Sequence, residues 1–314
     1  MIRSIDGLLI ATRSLDGHRR LFEGVFGLAP RAESRLAPRA VERLWGIADY
    51  RVRSLLLETP GTAVGVQLVE LDPAPVGPVR ATARGIDCDA LKVIDFVVSD
   101  FARAEERLRA HGFALDGEPA EYSAGVDGRF TEGHLTGQEA VKCALLKMWD
   151  ADPSRFVVAH ERLFSEILGF SSPIAEVEPV RRFYEEGLGL RQVYRYELES
   201  ASFARLVGMD GTTRVVGRNF GLSELAPMIG TIHYGLPRGS YDSLAERAWL
   251  PHTGLVAVRL TASDLEGMAE RLAPLGCEIL AGPTAAELEP YGRMCSLVVR
   301  APHGVVHWLR ELES

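Results

Sequence analysis

LFEGVFGL, residues 21–28, is written a second time as FYEEGLGL, residues 183–190, after an interval of 162 positions. At that offset, without a gap, Glu23 meets Glu185, Gly27 meets Gly189 and Leu28 meets Leu190. Further on, VERLWGI (41–47) falls on FARLVGM (203–209). Matches spread over one ungapped span mark a structural unit that occurs at least twice. A glycine closing an apolar pattern of helical period is a helix stop, so the motif reads as the end of a helix that hands the chain to a strand.

Working outward, IDGLLIATRS (5–14) is a β-type run. Leu15 to Phe26, with apolar residues at 15, 21, 22 and 25 and Ser14 or Asp16 as cap, is a helix. Strands follow near 29–36, at 50–58 and at 64–71, the last after a Pro60-Gly61 turn. The order is β, α, β, β, β. Asp72 to Ala90, with Pro73, Pro75 and Pro78, reads as a linker. The same order returns with a strand at 91–98, a helix on Phe101, Ala104 and Leu108, and strands around 113–115, 128–135 and 140–148. A third unit starts with a strand near 167–175 and continues through RQVYRYELE and TRVVGRN to GTIHYGLP (230–237). A fourth runs from GLVAVRLTA to VVHWLREL. Units two and four match at an offset of 164, with Asp100 on Asp264, Glu106-Arg107-Leu108 on Glu270-Arg271-Leu272 and Gly112 on Gly276. The expected organisation is a tandem duplication: residues 1–150 with modules 4–72 and 91–149, and residues 151–314 with modules 165–237 and 254–312.

The 314 residues exceed the usual limit for one core, and 46% apolar with 25% charged residues is a globular composition. The formal charge is −8 and the basic residues form no stripe, which speaks against nucleic acid as a partner. Apolar runs stop well short of a membrane span. Cys88, Cys143, Cys277 and Cys295 form no CxxC pair and read as structural thiols of a cytoplasmic protein.

Four βαβββ modules with an FY-x-x-x-LGL helix end and a closing strand after a P-x-G turn resemble the vicinal oxygen chelate superfamily. The resemblance covers roughly residues 4–312. It implies an α+β fold in which modules pair into two curled mixed-sheet half-barrels, each with a cavity for a ligand. It also implies one divalent ion held by residues of the first and last strands, commonly two histidines and a glutamate. In this chain the first-strand positions fall on Gly7, Val93, Gly169 and Ala257. The last-strand positions fall on Trp308, Ala144, Gln67 and Ile232, with His233 one residue away. Only Gln67 offers even a weak donor. The expectation is a member without a metal cofactor; the alternative is one Fe, Mn or Zn ion on relocated ligands among Glu132, His134, His233, His252 and His307.

Period-two alternation puts Val93, Asp95 and Val97 on one strand face and Ala257, Arg259 and Thr261 on the duplicated face. If 93 and 257 point into cavities, Asp95 and Arg259 do too, and either can orient a substrate or move a proton; a structural ion pair is the competing use. His233, in an otherwise apolar strand, is a candidate general base. Trp308 and Gln67 are candidate walls, and Tyr194, Tyr196 and the nearby Phe203 can stack on an aromatic ligand or simply pack. Arg205, the duplicate of Arg43, is a candidate clamp for an anionic ligand. No nucleophile elbow, dinucleotide fingerprint or phosphate loop is present.

The functional reading is a protein that binds a small, partly aromatic or hydrophobic molecule between paired modules. It leans towards an enzyme of metal-independent acid-base chemistry, a lyase, hydration or isomerisation step, with a homodimer compatible. A metal-dependent extradiol dioxygenase or glyoxalase-type lyase, and a non-catalytic drug or metabolite binder, stay open. Module pairing, one with two and three with four or one with four, also stays open.

Overall fold

A computed structural model describes residues 1–124, 128–212, 214–237 and 239–313. Module one runs β1 (Ile2–Thr12), α1 (Leu15–Arg19), β2 (Ala29–Leu36), α2 (Pro38–Trp45), β3 (Arg51–Glu58) and β4 (Gly65–Asp72). Module two runs β5 (Val93–Val98), α3 (Phe101–Ala110), β6 (Ala120–Ser123), β7 (Arg129–Thr136) and β8 (Lys142–Met148). Module three runs β9 (Phe164–Pro173), α4 (Val177–Arg182), β10 (Arg191–Glu199), α5 (Ala201–Leu206), β11 (Arg214–Gly221) and β12 (Met228–His233). Module four runs β13 (Gly254–Ala262), α6 (Leu265–Leu272), β14 (Glu278–Leu288), β15 (Gly292–Arg300) and β16 (Val306–Leu312).

The duplicated motif has a physical reason. After α1 and α4 the helix widens into a π-helical turn, Arg20–Val25 and Phe183–Gly187. The turn closes through Phe26 N–H on the Leu21 carbonyl and Leu28 N–H on that of Phe22, matched by Leu188 on Phe183 and Leu190 on Tyr184. Gly27 (φ 69°) and Gly189 (φ 72°) then reverse the chain in the left-handed region, which costs glycine little. Ser14, one of the two expected caps, accepts from the Asp16 N–H.

Two eight-stranded sheets result, ordered β14-β15-β16-β13-β1-β4-β3-β2 and β10-β11-β12-β9-β5-β8-β7-β6. Module one therefore pairs with four, and two with three. Each sheet is closed at its middle by antiparallel first strands, β1 on β13 and β5 on β9. Both sheets are curled half-barrels of paired modules, the α+β architecture expected.

Three apolar cores hold this together. The largest joins both sheets through the helices that cover them, with Phe26 stacked on Phe96 at 4.0 Å and edge-on to Phe164 at 5.1 Å. Each of these rings is essentially inaccessible, and burial of one contributes on the order of 2 kcal/mol. The other two cores lie inside the curl of each sheet. The helices α2 and α5, duplicates of one another and absent from a plain βαβββ pattern, cover these inner faces with Val41, Leu44 and Trp45 in one case and Phe203 in the other.

Two expectations need correction. Residues 113–115 form no strand; the edge strand is β6, which begins only at Ala120. Residues 72–90 are more than a spacer, since Arg80 donates to the carbonyls of Asp87, Ala90 and Leu91 and the segment bridges to Ser243 and Thr253. Among the described residues, no helix is long and apolar enough to cross a membrane.

Candidate functional site

The two inner faces differ. Inside the sheet of modules one and four, Trp308 meets Trp45 edge-on at 5.5 Å, its Nε1–H donates to Ser296 Oγ at 2.9 Å, and that hydroxyl donates to the Leu44 carbonyl at 2.8 Å. The indole closes the curl. Inside the sheet of modules two and three lies a cavity of about 110 Å³. A dry core cavity of about 150 Å³ takes a benzene ring, so a ring enters this one only as the side chains around it give way.

Alternation builds the cavity wall. Val93 and Asp95 come from β5, Phe130, Glu132 and His134 from β7, and Tyr194 and Tyr196 from β10. Tyr122 on β6 and Phe203 on α5 close one side. Gly217, paired with Tyr196 across the ladder, makes room for its ring: a Cβ there would sit 2.0 Å from Tyr196 Cζ.

Four ionisable groups face this apolar space. Glu132 Oε1 is 2.7 Å from His134 Nε2, and Glu132 Oε2 accepts from Tyr122 OH at 2.5 Å. Lys92 Nζ donates to Tyr234 OH at 2.7 Å. Burial and the charge of Glu132 push the Asp95 carboxyl well above the carboxylate range, against the pull of Lys92. Burial also disfavours ionisation of Glu132, yet the His134 contact, the Tyr122 hydroxyl and Lys92 outweigh it and hold this carboxyl low. Burial keeps His134 uncharged despite Glu132, so Nε2 carries the hydrogen and donates. Lys92, 3% exposed, is lowered by burial to about 7. Their surroundings thus push the two carboxyl groups of this cavity in opposite directions, Asp95 up and Glu132 down.

The residues singled out in the sequence separate into two groups. Asp95, Tyr194 and Tyr196 line the cavity, and Arg205 stands in the wall of an adjoining basin. Arg259, Gln67 and Trp308 lie in the other sheet: Arg259 donates to Tyr291 OH, and Gln67 Nε2 donates to Ser54 Oγ at 2.7 Å. His233 accepts the Gly235 N–H at 3.3 Å, while Met228 and its neighbour Ile232 are the residues of β12 in the cavity wall. His307 sits in the central core, its Nε2 3.3 Å from Tyr184 OH. Lys92 was not singled out. It precedes β5, where the pleat has not begun and alternation has no meaning, and only the rarity of an apolar run carrying a lysine marks it.

The divalent ion implied by the resemblance does not fit these residues. At Gly7, φ 110°, a Cβ would lie 1.9 Å from the Gly65 carbonyl oxygen, so no ligating side chain can stand there. At Gly169, a Cβ would meet the Met228 carbonyl oxygen at 3.0 Å, and the residue as it stands offers no donor. Among the described residues no three histidine, cysteine, aspartate or glutamate side chains converge on one point.

Two curled sheets, each made from modules of opposite halves of the chain, make up a four-module fold that solved structures share. Glyoxalase I from Zea mays has this fold: 98% of the chain aligns with 92% of that protein at 13% identity and a TM-score of 0.63. A putative dioxygenase from Bacillus subtilis subsp. subtilis str. 168 aligns over 100% and 86% of the two chains at 13% identity and a TM-score of 0.58. At such identities the likeness is one of fold. No family model matches the sequence, and no curated protein does.

Proposed function

We propose that the cavity of modules two and three binds a small, partly aromatic or hydrophobic molecule and that Asp95 and Glu132 move a proton on it. One observation carries the reading: two carboxyl groups in a single apolar cavity whose surroundings push them to opposite protonation states, the division of labour an acid-base pair needs. Glu132 takes a proton from a carbon next to a carbonyl while Asp95 gives its own to the carbonyl oxygen; return of the proton to a different carbon completes an isomerisation, departure of a β-hydroxyl as water completes an elimination, and the same steps in reverse add water in a hydration. Tyr122 and His134 fix the Glu132 carboxylate by occupying one oxygen each, and Tyr194 and Tyr196 supply flat apolar walls. No step runs through a metal ion. Four free cysteines accord with a reducing compartment, and we place the protein in the cytoplasm.

The test is solvent exchange. A panel of small aryl ketones and 2-oxo acids is incubated with the protein in D2O and loss of the α-proton is followed by NMR. Wild type exchanges at least one member, and Asp95→Asn and Glu132→Gln each lose most of that rate. Exchange undiminished in both variants overturns the reading. A panel member that binds but never exchanges favours the second reading, binding without turnover, which the fully engaged oxygens of Glu132 also suit.

A further inference from the structure

The cavity has a neighbour. A basin of about 370 Å³ shares Lys92 and His134 with it, and its other charged wall residues are Arg80, Arg84, Lys142 and Arg205. All six are basic side chains, and no aspartate or glutamate stands in that wall, in a chain whose net charge is −8. Some of the positive charge is answered from outside the basin: Lys142 Nζ lies 2.6 Å from Asp116 Oδ2 and Arg84 Nη2 lies 3.0 Å from Asp87 Oδ1. Arg80 is spent on backbone carbonyls, which are neutral. Arg205 projects from the last turn of α5 with its side chain exposed. His134, uncharged with its hydrogen on Nε2, adds none of that charge. A concave surface of one sign with low-dielectric walls concentrates the field and draws in the opposite charge.

We infer that the ligand of this site is an anion: its carboxylate or phosphate lies in the basin against Arg205 and Lys142, and its uncharged ring passes Lys92 and His134 into the inner cavity. This rests on the reading that the inner cavity is the binding site. Arg205 and Lys142 give the occupant its orientation, so that the end bearing no charge is the one presented to Asp95 and Glu132. A guanidinium and an ammonium on one anionic group are charge-assisted contacts, and together they separate an acid from its amide by about tenfold or more in affinity.

Calorimetric titration with 3-phenylpropanoate, 4-phenylbutyrate and the two matching amides tests this. In wild type at least one acid binds about tenfold tighter than its amide, the gap narrows as salt is raised, and Arg205→Ala with Lys142→Ala removes it. Arg205 is exposed and Lys142 partly so, and the far-UV dichroism of the double variant confirms that it folds. Acid and amide binding equally overturns the anion inference while the amide still reports an inner cavity that binds. Amide binding with the acid excluded does the same. Failure of all four compounds to bind overturns the inference together with the reading beneath it.

Discussion

Asp95 and Arg259 hold the same place in the two sheets, an acid in one and a base in the other. Asp95 pairs with Gly169 where β5 meets β9, and Arg259 pairs with Gly7 where β13 meets β1. The two glycines are themselves duplicates, 162 residues apart. Each half-barrel thus has at its centre one ionisable side chain facing a position without a side chain. The outcomes differ because of what surrounds them. Asp95 looks into a cavity, whereas Arg259 is 1% exposed, bonded to Tyr291, with Arg310 near it and Trp308 filling the curl. One copy of an old pair kept a cavity and the other became a packed core with buried polar links.

Removing the ionisable carboxyl of Asp95 should stabilise the protein at neutral pH. Its carboxyl is raised above the unfolded value near 4, so the folded state holds a proton that the unfolded state has lost, and stability falls as pH rises from about 4 towards the folded value. Asp95→Asn keeps the shape and lacks the ionisation. Its melting temperature should exceed that of wild type at pH 8, by on the order of 2 °C, and match it near pH 4. Thermal denaturation across that range checks the crossing.

Lys92 gives the opposite slope. Its folded value of about 7 lies below the unfolded value near 10.4, so the unfolded state binds more protons between those limits and stability rises with pH across them. Lys92→Met should flatten that rise, and at pH 6 be more stable than wild type, although the hydrogen bond from Lys92 to the Tyr234 hydroxyl is lost at a cost of about 1 kcal/mol. Urea titrations at pH 6 and 9.5 measure both differences.

Gly217→Ala should empty the site of ligand. The added methyl group meets the Tyr196 ring at 2.0 Å, and the ring can relieve this only by swinging off the sheet into the cavity. Binding should fall by more than tenfold, with a destabilisation of about 1–3 kcal/mol from overpacking. Calorimetric titration beside chemical denaturation separates the two effects.

Trp308→Ala should do the reverse. Loss of a fully buried indole costs about 3–5 kcal/mol and leaves Ser296 Oγ without its donor, yet the cavity of modules two and three lies in another sheet and its binding should be unchanged. Unfolding and binding measured on the same preparation decide this.

Much of the fold was legible in the residues because the repeated helix end is a local event. A widened turn closing on glycine depends on a few neighbours, and so did the inward direction of Asp95 and Arg259, which needs only the pleat. Module pairing was not legible: β1, β5, β9 and β13 all present an edge of backbone groups, and nothing in one strand states which other strand completes it. For the same reason Asp95 and Arg259, matched by sequence, could be placed on equivalent faces but not in separate cavities. Glu132 and His134 stood out as a pair two residues apart, whereas the part played by Lys92 and Tyr122 depends on β6 and β7 coming alongside β5 and β8. The strand expected at 113–115 was misplaced: the edge forms only at β6, although the duplicated segment after Gly276 extends at once into β14.

The account stands on the opposite protonation of Asp95 and Glu132. Protein carrying carbon-13 at the carboxyl groups of aspartate and glutamate, titrated by NMR from pH 3 to 9, reads it directly. One aspartate resonance, absent from Asp95→Asn, should remain at the protonated position at pH 7, while the glutamate resonance absent from Glu132→Gln should already be ionised at pH 5. Both carboxyl groups ionising together below pH 5 would contradict it.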